Sequence, residues 1–453
     1  MKSTISLCMI VRDEEKSLTL CLNSVQDIVD QMVIIDTGSK DKTIQTAKNF
    51  GADIYQFQWC NHFAEARNES IKYATGDWIL WMDADETLDP RSIPELKKIT
   101  HDKNKDTYYR VRISSRNDYQ NKVTYSDAHR IFPNGKGIRF ENRIHEQIYR
   151  SANNAGSKEV ITGIHIIHEG YNLTEEEYQK KLLRNLPLLE KMVEENKQDS
   201  YAHFTLAQNY SGLKQYKNAI KHFKIAIQYD TLDNSLTMEA LNVMSQAYSY
   251  LEEWEKVKKY SMQSIKLNPV QSGAYYMLYK CDEHQNNYKQ AVEHLTFLLQ
   301  NTKKLNSQPQ NIKNDVLVSE HRIIKTLGDT YVKIGRQDKA FEFYSQLTGD
   351  ALTKSIVWKI IHLTGELGEW DRLIEILQIY LKDNKNTEVE IFDILGQSYI
   401  KTDQIQKALS MYLKLYDSGE PNKIVLRRIA ALYAKLGDLV KAEHFIVKMN
   451  SMV

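Results

Sequence analysis

The chain has no apolar run of membrane-spanning length, no surplus of charge, few cysteines and none of the common glycine-rich phosphate loops. Each of these absences removes a class of function. Its N-terminal apolar stretch, Ile5 to Val11, is interrupted by Ser6 and followed by Arg12-Asp13-Glu14-Glu15, whereas a spanning helix needs about 20 apolar residues. With no later run approaching that length and no leader-like apolar core, the sequence predicts a soluble, cytoplasmic protein without a signal peptide. Lys+Arg 60 against Asp+Glu 59 leaves a formal net charge of +1, so no global field favours nucleic acid or an anionic membrane surface. Cys8, Cys21, Cys60 and Cys281 lack metal-ligand spacing, and buried thiols in a reducing compartment are the default for such a scatter. The turns of the first part contain neither Gly-x-Gly-x-x-Gly nor Gly-x-x-x-x-Gly-Lys-Ser/Thr, which argues against a dinucleotide fold and a P-loop NTPase.

What the chain does contain divides it into two unequal parts. Strand and helix signals alternate from Ile5. Ile5 to Val11, Gln31 to Asp36, Gly51 to Phe57 and the run into Asp83 read as strands, with helical patterns over Glu15 to Val25, from a cap at Ser39 or Asp41 to about Phe50, and from about Phe63 to Ala74. This β-α-β order predicts a mainly parallel sheet, whose ligands bind beyond the carboxyl ends of the strands. Two of those ends are acidic, Asp36 and Asp83-Ala84-Asp85. Carboxylates one residue apart at a strand end suit a divalent cation carrying a phosphate, although Asp-x-Asp by itself is equally the chemistry of a turn or helix cap.

From Tyr108 to Tyr149 the chain is strand-like and basic, punctuated by Arg110, Arg112, Arg116, Arg130, Arg139, Arg143 and the following Arg150, with Pro133-Asn134-Gly135-Lys136-Gly137 as the expected turn of a hairpin. His145-Glu146 follows, then Ile161 to His168 and Glu169-Gly170-Tyr171. On a strand, His165 and His168 face opposite sides. His168, at the strand end, is the candidate third metal or diphosphate ligand, and His165 a core or surface residue.

Several segments resemble the family 2 glycosyltransferases of GT-A fold. They are Ser6 to Glu14, Asp36 with Ser39, Asp41 and Thr43, Ala66-Arg67-Asn68, Gly76-Asp77-Trp78, and Asp83-Ala84-Asp85. Arg12-Asp13 departs from the more usual Tyr-Asn type pair. His145-Glu146 and His168-x-Gly170-Tyr171 extend the resemblance to about residue 172, toward bacterial family members that carry helical repeats, including those that modify bacteriocin peptides on cysteine. The resemblance implies a UDP-sugar bound along Val11, Arg12, Glu14, Asp36, Ser39, Arg67, Asp83 and Ala84. Asp83, Asp85 and His168 would hold Mg²⁺ or Mn²⁺. An inverting transfer needs a carboxylate opposite the leaving diphosphate. Glu146 is the candidate base, with Glu86 as the alternative.

After Leu173 the chain turns to helix formers with a tetratricopeptide-like repeat. Ala207, Tyr210, Tyr216, Ala219, Phe223 and Ala226 form a first copy. Gly328, Tyr331, Ala340 and Tyr344 form a later one, and Gly396, Tyr399, Ala408 and Tyr412 another. About seven units are expected, with an insertion from Asn301 to Asn314. The predicted organisation is an α/β GT-A domain at 1–172, a linker helix at 173–199 and an all-α tetratricopeptide-repeat domain at 200–453. The repeats suit an extended peptide, or self-association as a homodimer. The expected activity is metal-dependent transfer of a sugar, glucose or N-acetylglucosamine, from a UDP-sugar to a Cys or Ser side chain of a peptide or protein. The rival expectations are a catalytically decayed scaffold that binds a nucleotide-sugar or a protein, and a transferase acting on a wall or lipid-linked polymer.

Overall fold

The structure, a computed structural model, describes residues 3–101, 105–117, 122–168, 174–307, 318–384, 389–417 and 423–451. It divides into two compact units, Met1–Glu252 and Glu253–Val453. The first contains the whole sheet and the helices that directly follow it.

The strands are β1 (Ile5–Val11), β2 (Gln31–Asp36), β3 (Asp53–Gln56), β4 (Trp78–Trp81), β5 (Glu86–Leu88), β6 (Thr107–Asn117), β7 (Lys122–Pro133) and β8 (Lys158–His168). Between them run α1 (Leu18–Val25), α2 (Thr43–Asn49), α3 (Phe63–Lys72), α4 (Ile93–His101) and α5 (Tyr149–Asn154). Leu7, Met9, Val33, Ile34 and Ile35 are fully buried, as the unbroken apolar runs of β1 and β2 require of strands covered on both faces. The sheet order is β3-β2-β1-β4-β7-β6-β8-β5. Strands β3, β2, β1 and β4 are mutually parallel. The chain runs from β1 out to β3 and then crosses back to β4 on the other side of β1, a reversal that opens a crevice at the β1 and β4 carboxyl ends.

Beyond β4 the expected mainly parallel sheet becomes mixed. Strand β7 is antiparallel to β4 and to β6, β8 is parallel to β6, and β5 is antiparallel to β8. The segment between β6 and β7 is too short for a crossover helix, and only an antiparallel pairing can be closed by so short a link. The turn at Pro133–Gly137 is not the hairpin expected of it. Pro133 ends β7, Gly135 and Gly137 take φ of 79° and 72°, and the chain leaves the sheet with a single bridge, Glu141 to Gln147. The Asn68 side chain replaces the missing strand partner, accepting from Phe140 N at 2.8 Å and donating to Phe140 O at 2.9 Å. Ile138 and Phe140 then pack with Trp81 and Phe132.

Helices α6 (Glu175–Glu195), α7 (Ser200–Gly212), α8 (Tyr216–Gln228) and α9 (Asn234–Tyr250) complete the first unit. Thr174 and Glu177 form a capping box that starts α6. The second unit is helical in all but a short 3₁₀ turn of its regular described structure, from Trp254–Leu267 to Leu439–Asn450. The expected insertion at Asn301 is helical as far as Ser307, and residues 308–317 lie outside the described ones. Gly170 and Tyr171 also lie outside them. Among the described residues no helix is long and apolar enough to cross a membrane.

Small residues in the repeats sit where aromatic rings close on the backbone. A Cβ at Gly328 would stand 2.5 Å from the Tyr344 ring, and one at Gly396 2.8 Å from Tyr412. Gly328→Ala should therefore destabilise the second unit by about 1–3 kcal/mol through overpacking. Thermal unfolding checks this, and an unchanged midpoint would show that the ring yields freely.

Candidate active site

The crevice floor is made by the loops that follow β1 and β2. Asp13, at φ 57°, turns the first loop toward the second, and the two exchange hydrogen bonds. Asp13 N donates to Ser39 Oγ at 3.0 Å, Lys40 N to Asp13 Oδ1 at 2.7 Å and Glu14 N to Thr43 Oγ1 at 2.7 Å. Asp36 is 2% exposed and accepts from Gly38 N at 3.2 Å and Ser39 N at 3.1 Å. Val11 O receives both the amide and the hydroxyl of Thr37. Arg12 projects outward beside Asp13. Glu14 is half-buried, and burial raises its carboxyl above the usual range, with Asp85 and Asp83 adding like charge from across the crevice. The structure thus brings Val11, Arg12, Glu14, Asp36 and Ser39 onto one rim.

The wall is built on Asp83. Arg67 is buried on α3 and donates from Nη2 to Asp83 Oδ1 at 2.6 Å and from Nε to Glu146 Oε1 at 2.5 Å. Arg130, buried on β7, donates from Nη2 to Glu86 Oε1 at 2.5 Å and lies 3.6 Å from Asp83 Oδ2. Both guanidinium groups stack on the Trp81 ring, at 4.1 Å for Arg67 and 3.5 Å for Arg130. Burial alone would raise the Asp83 carboxyl, but the two arginines outweigh it and hold it well below the usual carboxylate range. Glu86, 1% exposed, accepts the Asp83 amide proton at 2.9 Å. Burial lifts its carboxyl to about 7 despite Arg130. Sealed between the Asp83 amide and Arg130, Glu86 offers no face to an acceptor. Ala84 is buried in the core beneath this turn.

Asp85 points the other way. Its Oδ2 lies 3.1 Å from His168 Nε2, because β5 pairs with β8 and sets Glu86 opposite His168. The His168 Nδ1 faces Ser115 Oγ at 3.5 Å. Burial disfavours the charged imidazole, but Asp85 outweighs it and raises the His168 pKa. His165, on the opposite face of β8, contacts Asp89 at 3.2 Å. Glu146 is tied into the same cluster by Arg67, and its neighbour His145 adopts a left-handed φ of 54°, a strained conformation of the kind found at functional sites.

Among the described residues no three His, Cys, Asp or Glu side chains form a ready-made metal cluster. The donor set on offer is the Asp85 carboxylate with the His168 imidazole, since Asp83 is engaged by arginine. Such a pair fits a divalent cation that takes few protein ligands and keeps positions for phosphate oxygens. Among the described residues Arg67 Nη1 and Arg130 Nε and Nη1 are buried without a hydrogen-bond acceptor. Neither Trp81 nor Arg130 belongs to a recognisable motif in the sequence. Arg130 was visible only as one of several arginines in an alternating segment, and the pairing of β7 with β4 singles it out.

The Glycosyl transferase family 2 model matches residues 6–164, and the tetratricopeptide repeat model matches residues 200–231. A TPR repeat-containing protein of Synechococcus elongatus is 40% identical over 144 residues, which is 32% of this chain and 35% of that protein. The SPbeta prophage-derived glycosyltransferase SunS of Bacillus subtilis is 29% identical over 228 residues, 49% of this chain and 53% of that protein. The chain thus spans about a third to about half of the length of these curated relatives. Among solved structures, S. aureus TarS 1–349 in complex with UDP is 14% identical with a TM-score of 0.35, covering 54% of this chain and 86% of that one. Residues 6–164 thus resemble a glycosyl transferase family 2 domain, followed in this chain by a segment at 200–231 that resembles a tetratricopeptide repeat.

Proposed function

We propose that the protein is a glycosyltransferase that moves a sugar, glucose or N-acetylglucosamine, from a UDP-sugar to a Cys or Ser side chain of a peptide or protein. The observation that carries this reading is the divided Asp83-Ala84-Asp85 turn. One carboxylate is clasped by Arg67, and the other stands with His168, at the crevice between β1 and β4. The family 2 match over the same residues supports it, as do relatives named as glycosyltransferases.

In this reading Asp36 and the Val11–Glu14 rim hold the uridine, with the Ser39 hydroxyl fixing the rim from below. Asp83, oriented by Arg67, meets the ribose. Asp85 and His168 would hold Mg²⁺ or Mn²⁺, which when bound neutralises charge on the leaving diphosphate. Arg67 and Arg130 supply fixed positive charge beside Asp83. Glu146 is the base. Its partner Arg67 also holds Asp83, so a diphosphate that draws the guanidinium toward itself loosens Glu146 to take the acceptor proton. A thiol acceptor, with a reference pKa of about 8.5, asks little of that base. Glu86 serves to hold Arg130 and the Asp83 amide in place.

Incubating the protein with Mn²⁺ and a panel of UDP-sugars, with and without Cys- or Ser-bearing peptides, tests the reading by UDP release. Release from one sugar nucleotide, accelerated by peptide, is expected. No release under any of these conditions would overturn it.

A further inference from the structure

The first repeats carry a carboxylate that the molecule leaves without a cation. Glu239 of α9 is half-buried and accepts a hydrogen bond from Gln208 Nε2 of α7 at 2.6 Å. No Lys, Arg or His pairs with it among the described residues. Burial lifts its carboxyl to about 7, with Asp233 adding like charge against the relief from Gln208. A carboxylate taken out of water with one amide donor is costly, and a cationic ligand would complete its coordination.

Glu239 lies along a surface that leads to the catalytic loop. Gln208 and Tyr201 are seven residues apart, two turns of α7, and share one face of that helix. The Tyr201 hydroxyl accepts from Gln147 Nε2 at 2.6 Å, and Gln147 is the neighbour of Glu146. Burial, then Glu146, then Glu239 raise the Tyr201 pKa, so the phenol stays protonated. Its proton has no acceptor among the described residues. Two more contacts fasten this loop and α5 to the helices: Arg143 Nε donates to Glu195 at 2.9 Å, and Arg150 Nη1 to Asp199 at 3.1 Å. All of these residues belong to the first compact unit. The face of α7 and α9 is thereby a continuation of the wall that holds Glu146.

We propose that this face binds the acceptor as an extended peptide, with Tyr201 donating to its backbone and Glu239 pairing with a lysine or arginine that flanks the modified residue. The inference rests on the transferase reading for the word acceptor. The pairing itself rests on Glu239.

The test uses the full chain and fluorescein-labelled nonapeptides of one backbone, with a central Cys and Lys, Gln or Glu at the flanking positions. Binding is followed by anisotropy, and UDP release from UDP-glucose and UDP-N-acetylglucosamine with Mn²⁺ is measured in parallel. Wild type should bind the Lys peptides about tenfold more tightly than the Gln peptides. Glu239→Gln should erase that preference, and Glu239→Lys should invert it in favour of the Glu peptides, a gain that a misfolded variant cannot produce. Equal binding of Lys and Gln peptides by wild type, or a preference that survives in Glu239→Gln, would overturn the proposal. UDP release decides the transferase reading separately: its complete absence alongside a Glu239-dependent peptide preference removes the reaction and keeps the peptide site.

Discussion

Arg67→Ala should lower the thermal midpoint of the first unit by about 10 °C or more, at about 2–4 °C per kcal/mol for a unit of this size. Arg67 is the sole bridge between Asp83 and Glu146 among the described residues, with N···O distances of 2.6 and 2.5 Å. The Glu146 side chain keeps only 10% of its exposure. Removing the cation leaves two partly desolvated carboxylates facing each other across the vacated volume, and breaking a buried pair from one side costs about 3–5 kcal/mol. The stacking on Trp81 is lost as well. Arg67→Lys keeps the charge but cannot reach both acceptors with a planar fork, so it should recover only part of the loss. Coupling gives the sharper readout. In an Arg67→Ala/Glu146→Gln double variant the second substitution removes one of the stranded charges, and the combined destabilisation should be smaller than the sum of the single ones. A midpoint within 2 °C of wild type for Arg67→Ala, on the scale just used, would show that the cluster is hydrated and contributes little.

The second large effect is on turnover with the fold intact. Asp85 keeps 30% of its side-chain exposure and is held by an ion pair to His168, where Asp83 is held by Arg67 and Arg130; a part-exposed pair of this kind is worth about 1 kcal/mol. Asp85→Asn should therefore leave the unfolding midpoint nearly unchanged. Transfer should fall by about 100-fold or more, because neutralising a diphosphate leaving group through a bound cation is worth several kcal/mol. His168→Ala removes the other donor of the pair and should cost less, about tenfold. Raising Mn²⁺ should restore part of the His168→Ala loss and little of the Asp85→Asn loss. Steady-state UDP release with and without peptide, over a Mn²⁺ series, reads all of this. An Asp85→Asn enzyme that turns over at the wild-type rate would remove the cation from the Asp85 and His168 pair.

Together the two variants separate the halves of one tripeptide. Asp83 is a fixed anion, clasped by two arginines and coupled to the stability of the unit, whereas Asp85 is paired with a histidine. In the sequence both read as carboxylates at a strand end, with nothing to distinguish their duties.

The sequence by itself determined the elements from β1 to β4 and their order. Unbroken apolar runs made β1, β2 and β4 interior strands, the strand-helix alternation made them parallel, and the small and aromatic positions of the repeats placed the helices. It also located the acidic turn at 83–85, because that signal is local: a strand period ending in turn residues. The tertiary structure alone decided the partners. Arg67 meets Glu146 across 79 positions, and Arg130 meets Glu86 across 44. His168 reaches Asp85 only because β5 pairs with β8. Pro133–Gly137 looked like a hairpin turn because its composition is that of one, yet the chain leaves the sheet there and Asn68 supplies the missing backbone partner. The physical reason is one of range. Periodicity and turn chemistry act over a few residues and are written in the local sequence. The pairing of buried charges is settled by which groups lose their water together, and that is known only once the distant strands have met.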